Sequence, residues 1–383
     1  MTAHAHPPTP RFSPRAILLI ELALAMGGFA IGTGEFAIMG LMPNVAQGLG
    51  ISEPQVGHVI STYALGVVVG APLLAILGAR LFRRHLLLLL MSFFALGNFA
   101  SAMAPDYHSL MVPADQRAKA VSRVLAGLTI AILIGNPTAT WLGQWLSWRW
   151  AFGLVGMVAL LTVLLVALFL PLDRSEPRNN PMRELRDFNR KPVWLALAIS
   201  SIGFAGMFCV FSYLAPTLLD INGASENWIP VGLAAFGLGA IIGNLFGGWL
   251  FDRLGFKAIA WLLLWSIFVL LIFPFATHSL WTLLPAAFAV GTMVSLSPAL
   301  QTHLMDVAAD AQTLAAASNH SAFNVANALG PWLGGMAISA GLGWSSTGYI
   351  GAATGLIGLL VFWWAWNVRN DDDKTTSAAV ACD

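Results

Sequence analysis

The sequence has very little charge and almost no cysteine. Only 10% of its 383 residues are charged, whereas soluble domains carry roughly 25%, so the chain cannot present a surface suited to water. The net charge of +1 provides no basic surface for nucleic acid, and we expect no nucleic-acid partner. Cys209 and Cys382 are the only cysteines, which excludes a disulfide framework and a cysteine metal site.

Apolar residues take the place of the missing charges. They make up 57% of the chain, and the mean hydropathy is +0.75. A membrane-spanning helix needs about 20 mostly apolar residues. Eleven such stretches lie near 16–42, 56–78, 86–103, 120–146, 150–171, 193–219, 228–250, 258–276, 279–304, 312–340 and 345–367. The sequence therefore predicts an all-α polytopic membrane protein in contact with the lipid bilayer.

One long polar segment, residues 173–192, divides these stretches into a front and a rear block. The segment is rich in arginine, and basic residues mark cytoplasmic loops. The predicted organisation is a cytoplasmic N-terminal tail (1–14), an N-terminal helical bundle (15–172), a cytoplasmic linker (173–192), a C-terminal helical bundle (193–367) and a C-terminal tail (368–383).

The two blocks resemble each other. A pair of glycines precedes an Arg-Leu pair at the same spacing in residues 66–81 and 239–254. A second match, between 135–140 and 330–335, is offset by about one further span. Duplicated halves are a known transporter architecture. The larger offset indicates five spans in the front block and six in the rear block.

The distribution of basic residues also indicates a missing span. Basic residues are expected on the cytoplasmic side of the membrane. If the chain starts in the cytoplasm and a further crossing is restored near Val112-Pro113, all Lys and Arg except Arg149 lie on that side. Without this crossing the pattern breaks. Residues 104–115 contain too few apolar side chains to provide it, with Asp106 and His108 among them. The front block is therefore expected to lack its fourth helix.

Three short segments carry a family resemblance. They are Gly32-Thr33-Gly34-Glu35-Phe36, Ser61-Thr62-Tyr63-Ala64-Leu65-Gly66 and Phe251-Asp252-Arg253-Leu254-Gly255-Phe256-Lys257. Over residues 16–367 the chain resembles the major facilitator superfamily, in particular drug:proton antiporters of the arabinose-efflux and chloramphenicol-efflux type. The resemblance implies two six-helix-type bundles that rock against each other, and proton-coupled efflux of a small molecule through the bacterial inner membrane, with a link to drug resistance.

The chain departs from that family at three places, one of which is the fifth-helix antiporter motif, present only in part as Gly135-Asn136-Pro137-Thr138-Ala139-Thr140. Ala79 and Phe82 stand where the front gating loop usually has Asp and Gly. The fourth helix, which in relatives carries a membrane-embedded Arg linked to proton movement, is the helix that this chain lacks. A degenerate paralogue that no longer transports therefore stays an alternative.

Catalytic motifs are missing from the sequence. An enzyme embedded in the membrane would need clustered His, Asp or Glu at one depth, and the predicted spans contain no such cluster. There is no P-loop or dinucleotide fingerprint. We expect a monomeric transporter that is not an enzyme and uses no cofactor and no metal.

Glu35 is the most informative single residue. Only Glu35 and Glu21 are acidic residues well within an apolar stretch. A carboxylate at the bilayer centre costs at least about 2.5 kcal/mol, so Glu35 is expected to face a cavity or a partner. We expect Glu35 to bind protons or a cationic part of the substrate. The alternative is a permanently protonated side chain that bonds to a neighbouring helix.

Other polar residues in the spans are cavity candidates. His320, Asn324 and Asn327 follow each other at i, i+4 and i+7 and share one helix face. The further candidates are Thr33, Tyr63, Tyr213 and Asn319. Polar side chains of this kind can also simply join helices, and both readings stay open. Sugars, nucleosides and amphenicol-like drugs are possible substrates.

Two further groups are predicted to move or pack helices. The gating loops hold Arg80, Arg83 and Arg84 in the front block and Asp252, Arg253, Gly255 and Lys257 in the rear block. Their basic residues also set the orientation in the membrane. The positions expected to pack closely or act as hinges are Gly135, Pro137, Gly330, Pro331, Gly334 and Gly335.

Overall fold

The computed structural model describes residues 14–77, 83–104, 131–170, 190–222, 225–308 and 312–380. All regular secondary structure in these ranges is helical. Eight helices among them are long and apolar enough to cross a membrane. The prediction of an all-α polytopic membrane protein is confirmed.

The front helices lie within residues 14–169. They are α1 (Pro14–Gly40), α2 (Met42–Leu49), α3 (Glu53–Leu77), α4 (Arg83–Ala102), α5 (Asn136–Trp145) and α6 (Trp148–Phe169). A π-helical turn, Ala131–Gly135, leads into α5. The short helix α2 ends at Gly50, whose φ of 63° is a conformation that glycine adopts without strain. Of the predicted stretch 120–146, only the part from Ala131 onward lies within the described residues.

The rear helices lie within residues 191–380. They are α7 (Lys191–Ala198), α8 (Ala205–Ser212), α9 (Leu214–Asn222), α10 (Trp228–Leu254), α11 (Lys257–Ala276), α12 (Leu280–Thr292), α13 (Leu296–Val307), α14 (Gln312–Ser339) and α15 (Ser346–Val380). A π-helical turn, Ile199–Gly203, links α7 to α8, and a 3-10 turn, Met293–Ser295, links α12 to α13. The predicted single span 193–219 is therefore built from three helical pieces.

Side-chain contacts give the direction of the front helices. Arg149 Nη2, in the first turn of α6, donates a hydrogen bond to Ala104 O after the end of α4. Arg84 Nη2, at the start of α4, donates to Ala167 O near the end of α6. Helices α4 and α6 are therefore antiparallel. Because α5 leads directly into α6, α4 and α5 end at the same end of the molecule.

Glycines allow two rear helices to touch backbone to backbone. A Cβ on Gly239, Gly243 or Gly247 of α10 would collide with backbone carbonyl groups in residues 288–295, which belong to α12 and the 3-10 turn after it. Glycine at four-residue intervals places these positions on one face of α10. Close backbone approach of this kind is a common way to join helices in a membrane.

Two pairs of helices join the front to the rear of the molecule. Helix α3 packs along α14, and α5 packs along α10. Helix α1 contacts the rear helices α8, α9 and α10 as well. Glu35, on α1, is thereby placed beside rear helices rather than among front helices alone.

Candidate functional site

Glu35 lies buried at the junction between front and rear helices. Its side chain is 6% exposed. Asn327 of α14, fully buried, lies with its Nδ2 atom 3.5 Å from Glu35 Oε1 and donates a long hydrogen bond to it. Two sequence candidates that are 292 positions apart therefore meet. The contact joins the first helix of the front half to the rear half.

A short segment of α14 makes two more bonds beside this one. Ser61 Oγ, on α3, donates to Ala328 O at 2.8 Å. Tyr213 Oη, after α8, donates to Pro331 O at 2.7 Å. Residues 327–331 thus contact α1, α3 and the end of α8 within little more than one helical turn. Ser61 belongs to one of the family-like segments but was not among the cavity candidates, because a serine hydroxyl in an apolar span does not by itself distinguish a site from simple helix packing.

Tyr213 is fully enclosed and fills the space between three glycines. A Cβ on Gly57 would collide with its hydroxyl group, and a Cβ on Gly335 would lie 2.6 Å from it. A Cβ on Gly334 would lie 3.0 Å from the ring carbon Cε2. Gly57 belongs to α3 and the other two to α14. The small residues therefore provide the space that the phenol ring occupies.

An aromatic cluster adjoins Glu35. The ring of Phe36 stacks on Phe208 with a centroid distance of 6.4 Å and meets Phe211 edge-on at 5.9 Å. Phe211 in turn stacks on Phe236 of α10 at 3.8 Å. Phe36 is a front residue and the others are rear residues. The sequence indicated Phe36 only through its place in the motif, since aromatic residues are common in every span.

Three buried polar side chains lie on α1 and α5. Thr33 Oγ1, both amide atoms of Asn136 and Thr140 Oγ1 have no hydrogen-bond partner in the described part of the chain. Asn136 and Thr140 are completely buried. A Cβ on Gly135, the last residue of the π-helical turn, would collide with Thr33 Oγ1. Asn136 and Thr140 were not predicted as site residues, although an Asn before a Pro in an apolar stretch was a usable signal.

The remaining cavity candidates are spread over the rear half and α3. Asn319 accepts a hydrogen bond from Ser200 Oγ at 3.2 Å and donates one to Gln301 Oε1, so it joins α14 to neighbouring rear elements. Asn324 is buried and donates from Nδ2 to His320 O at 3.0 Å. His320 and Tyr63 are half-buried. Among the sequence candidates, Asn327 is the one for which the described residues show a hydrogen bond to Glu35.

The predicted gating residues lie at helix ends. Gly255 connects α10 to α11 with a φ of 56° and a ψ of −138°, a conformation that only glycine adopts without strain. The Arg253 guanidinium lies 4.3 Å from the ring centre of Trp249, and Lys257 Nζ lies 5.8 Å from that of Trp366. Asp252 is exposed. Arg80 lies outside the described residues, as does the side chain of Arg83.

The packing candidates on α14 are in close contact with α8. A Cβ on Gly330 would lie 2.6 Å from Ala205 O and 2.7 Å from Cys209 N. Pro331 presents its carbonyl group to Tyr213, as described above. On the front side, Pro137 lies in the first turn of α5, where a proline is readily accommodated.

The chemistry available at the junction is that of binding rather than bond cleavage. It offers one carboxyl group, several amides and hydroxyls, and aromatic faces. In the described ranges no three His, Cys, Asp or Glu side chains are close enough to hold a metal ion. Such a set suits the recognition of a small polar organic molecule and the transfer of protons.

Comparisons with known proteins agree with one another. The sequence matches the family model of the Major Facilitator Superfamily over residues 24–114, 107–263 and 204–381. It is 37% identical to the inner membrane transport protein YdhP of Escherichia coli K12, covering 89% of this chain and 94% of YdhP. It is 33% identical to the putative transporter AraJ of the same organism, covering 85% and 89%. A chloramphenicol resistance protein of Streptomyces lividans is 30% identical, covering 80% and 86%.

The fold is similar to that of a solved transporter. This is a bacterial homologue of the human lysosomal transporter Spinster in an inward-facing and unoccupied conformation. The TM-score is 0.68 with 17% sequence identity, covering 92% of this chain and 96% of the other.

Proposed function

Since the chain belongs to the major facilitator superfamily, we propose that it exports a small, largely neutral organic molecule in exchange for protons. Like its relatives, it is a multi-pass membrane transporter and not an enzyme. The name of its relative YdhP supports a place in the inner membrane. The observation that carries the proposal is the buried carboxyl group of Glu35 at the junction of the two halves.

The contact between Glu35 and Asn327 offers a way to couple protons to movement. An ionised carboxylate accepts a stronger hydrogen bond than a neutral carboxyl group. Proton uptake by Glu35 therefore weakens the attraction between α1 and α14. Because α1 is a front helix and α14 a rear helix, this favours separation of the two halves, which is what alternating access requires.

Other contacts between the halves lie at the end that the charge distribution predicts to be periplasmic. Gln144 Nε2, in the last turn of α5, donates to Glu226 O at 2.9 Å before α10. Gly57 contacts Tyr213 near the start of α3. These contacts support an arrangement closed at that end. We infer that they break when the transporter opens outward.

The polar groups at the junction suit a substrate with hydroxyl or amide groups. Buried polar atoms that have no hydrogen-bond partner among the described residues, such as those of Asn136, favour a ligand that forms hydrogen bonds. The aromatic rings around Phe36 suit a flat or apolar portion of the same molecule. Sugars, nucleosides and amphenicol-like drugs combine such features, and two relatives are named for sugar efflux and chloramphenicol resistance.

The test uses purified protein in proteoliposomes with an imposed proton gradient. Uptake of radiolabelled arabinose, uridine and chloramphenicol is measured for the wild type, Glu35→Gln and Glu226→Gln. Glu226 is exposed, and its bond to Gln144 uses only the backbone, so the third protein is a matched control. We expect gradient-driven transport in the wild type and the control, and its loss in Glu35→Gln.

Two results would contradict the proposal in different ways. Unchanged gradient-driven transport in Glu35→Gln would remove Glu35 from proton coupling. Absence of transport of all three compounds by the wild type, with the protein folded, would favour the non-transporting paralogue.

A further inference from the structure

A groove lies on the membrane-facing surface between α10, α11 and the α12 region. Its volume is about 490 Å³. Its walls are mainly Ile242, Phe246, Leu250, Leu254, Trp261 and Trp265. The first four are spaced four residues apart and form one stripe along α10. None of these residues belongs to the junction around Glu35.

The groove is a built feature of the packing. Its floor is formed where Gly243 of α10 meets the backbone of Thr292, so α10 and α12 are in direct backbone contact there. One wall is held in place because Trp265 Nε1 donates a hydrogen bond to Thr292 Oγ1 at 2.9 Å. Trp261, a second α11 residue of the wall, is 62% exposed. An apolar slot therefore stays open beside a rigid floor.

The length of the groove matches one leaflet of a bilayer. From Ile242 to Leu254 the helix α10 rises about 18 Å. Half of the hydrocarbon core of a bilayer is about 15 Å thick. Since the groove extends to the end of α10, it covers one leaflet rather than the bilayer centre. The distribution of basic residues predicts that this is the cytoplasmic leaflet.

Two positive charges stand at that end of the groove. Arg253 precedes Leu254 on α10, and Lys257 lies one turn before Trp261 on α11. Both side chains are exposed. The Arg253 guanidinium lies over the ring of Trp249 and Lys257 Nζ lies 5.8 Å from the ring centre of Trp366, so the two charges flank the groove rather than line it. Asp252 is the one acidic residue in the connecting segment 252–257, so this segment at the end of the groove has a net positive charge.

We propose that this groove binds one anionic phospholipid of the cytoplasmic leaflet. An acyl chain lies along the stripe of α10 between Trp261 and Trp265, and the phosphate group pairs with Arg253 and Lys257. The apolar walls exclude a polar substrate, and the two charges at one end select an amphiphile with a negative head group. This lipid site is independent of the proposed transport mechanism.

Native mass spectrometry of the full-length protein, released from detergent, tests the site. The protein is titrated with phosphatidylglycerol or phosphatidylcholine of identical acyl chains. We expect one phosphatidylglycerol per chain, bound more tightly than phosphatidylcholine. The double variant Arg253→Gln/Lys257→Gln is expected to bind phosphatidylglycerol roughly 30-fold more weakly. The variant Leu250→Trp narrows the groove and is expected to bind neither lipid.

A matched control and a second probe keep the outcome clear. Arg190→Gln removes an exposed basic residue at the same membrane face but away from the groove, and it is expected to leave lipid binding unchanged. If Leu250→Trp fails to fold, Ile242→Trp is used instead, which narrows the end of the groove nearer the bilayer centre. Equal retention of phosphatidylglycerol by the wild type and the double variant would overturn the proposal. Tighter binding of the neutral dye Nile red than of phosphatidylglycerol at this groove would overturn it as well.

Discussion

The hydroxyl group of Tyr213 occupies the space beside Gly57 that a methyl group would need, while it donates a hydrogen bond to Pro331 O at 2.7 Å. One tyrosine thereby joins α3 of the front half to α14 of the rear half. Position 57 therefore requires glycine because the side chain of Tyr213 occupies the space of a Cβ atom, and not because the backbone there has an unusual φ.

Gly57→Ala is expected to separate the two halves at this end, because the added methyl group collides with Tyr213 Oη. The measurement is the reactivity of a cysteine at Gln144 toward a membrane-impermeant maleimide in intact cells, with Cys209 and Cys382 replaced by alanine. We expect faster labelling in Gly57→Ala. Adding Tyr213→Phe removes the colliding atom and should return the rate toward its original value. Equal labelling in all three proteins would show that the contact does not hold this end closed.

Asn327→Asp is expected to abolish most transport at neutral pH, because a second carboxyl group then stands about as close to Glu35 as the amide does now, 3.5 Å. Repulsion between two carboxylates at this distance in a buried site is large, and we expect initial rates to fall more than about tenfold. The double variant Glu35→Gln/Asn327→Asp restores a single carboxyl group to the pair. Partial recovery of substrate transport in that variant would support direct coupling. Independent, additive losses would show that the two side chains act separately.

Neighbouring glycines on α10 are expected to respond in opposite directions to alanine. A Cβ on Gly247 collides with the backbone of Ser295, whereas a Cβ on Gly248 meets nothing within 4 Å. Gly247→Ala should therefore lower the free energy of unfolding by about 1–3 kcal/mol. Gly248→Ala should raise it by about 0.5–1 kcal/mol, because alanine favours the helix. Thermal unfolding in detergent measures both. A similar loss of stability in the two variants would contradict the close approach of α10 and α12.

Asn136→Leu is expected to raise thermal stability while it slows transport. The amide is completely buried and has no hydrogen-bond partner among the described residues, and an unsatisfied buried polar group costs about 1–3 kcal/mol. Leucine of similar size avoids that cost but cannot bond to a substrate. The control is Asn98→Leu, since Asn98 Nδ2 donates to Phe94 O at 2.8 Å, and its melting temperature should fall. A lower melting temperature for Asn136→Leu would mean that its amide is already bonded in the folded protein.

The helical, membrane-spanning character of the chain and the positions of its apolar helices could be predicted from the sequence, whereas the described residues contain eight span-length helices and eleven spans stay a prediction. Each predicted apolar stretch overlaps described helices, because the cost of burying charge in lipid is read directly from local composition. Glu35 was identified on the same physical ground, since one carboxyl group in an apolar span needs a compensating environment. The break in the predicted span 193–219 was not foreseen, because a π-helical turn such as Ile199–Gly203 has no distinct composition.

The sequence by itself determined that the chain is a membrane protein of two related sets of helices with a buried carboxyl group. Only the tertiary structure decided that Asn327 is the residue that reaches Glu35, that Tyr213 fits beside Gly57, and that α10, α11 and α12 enclose a groove. The physical reason is that hydropathy depends on neighbours along the chain. Which helix faces meet depends on close packing between segments hundreds of residues apart, and many apolar faces are alike in composition.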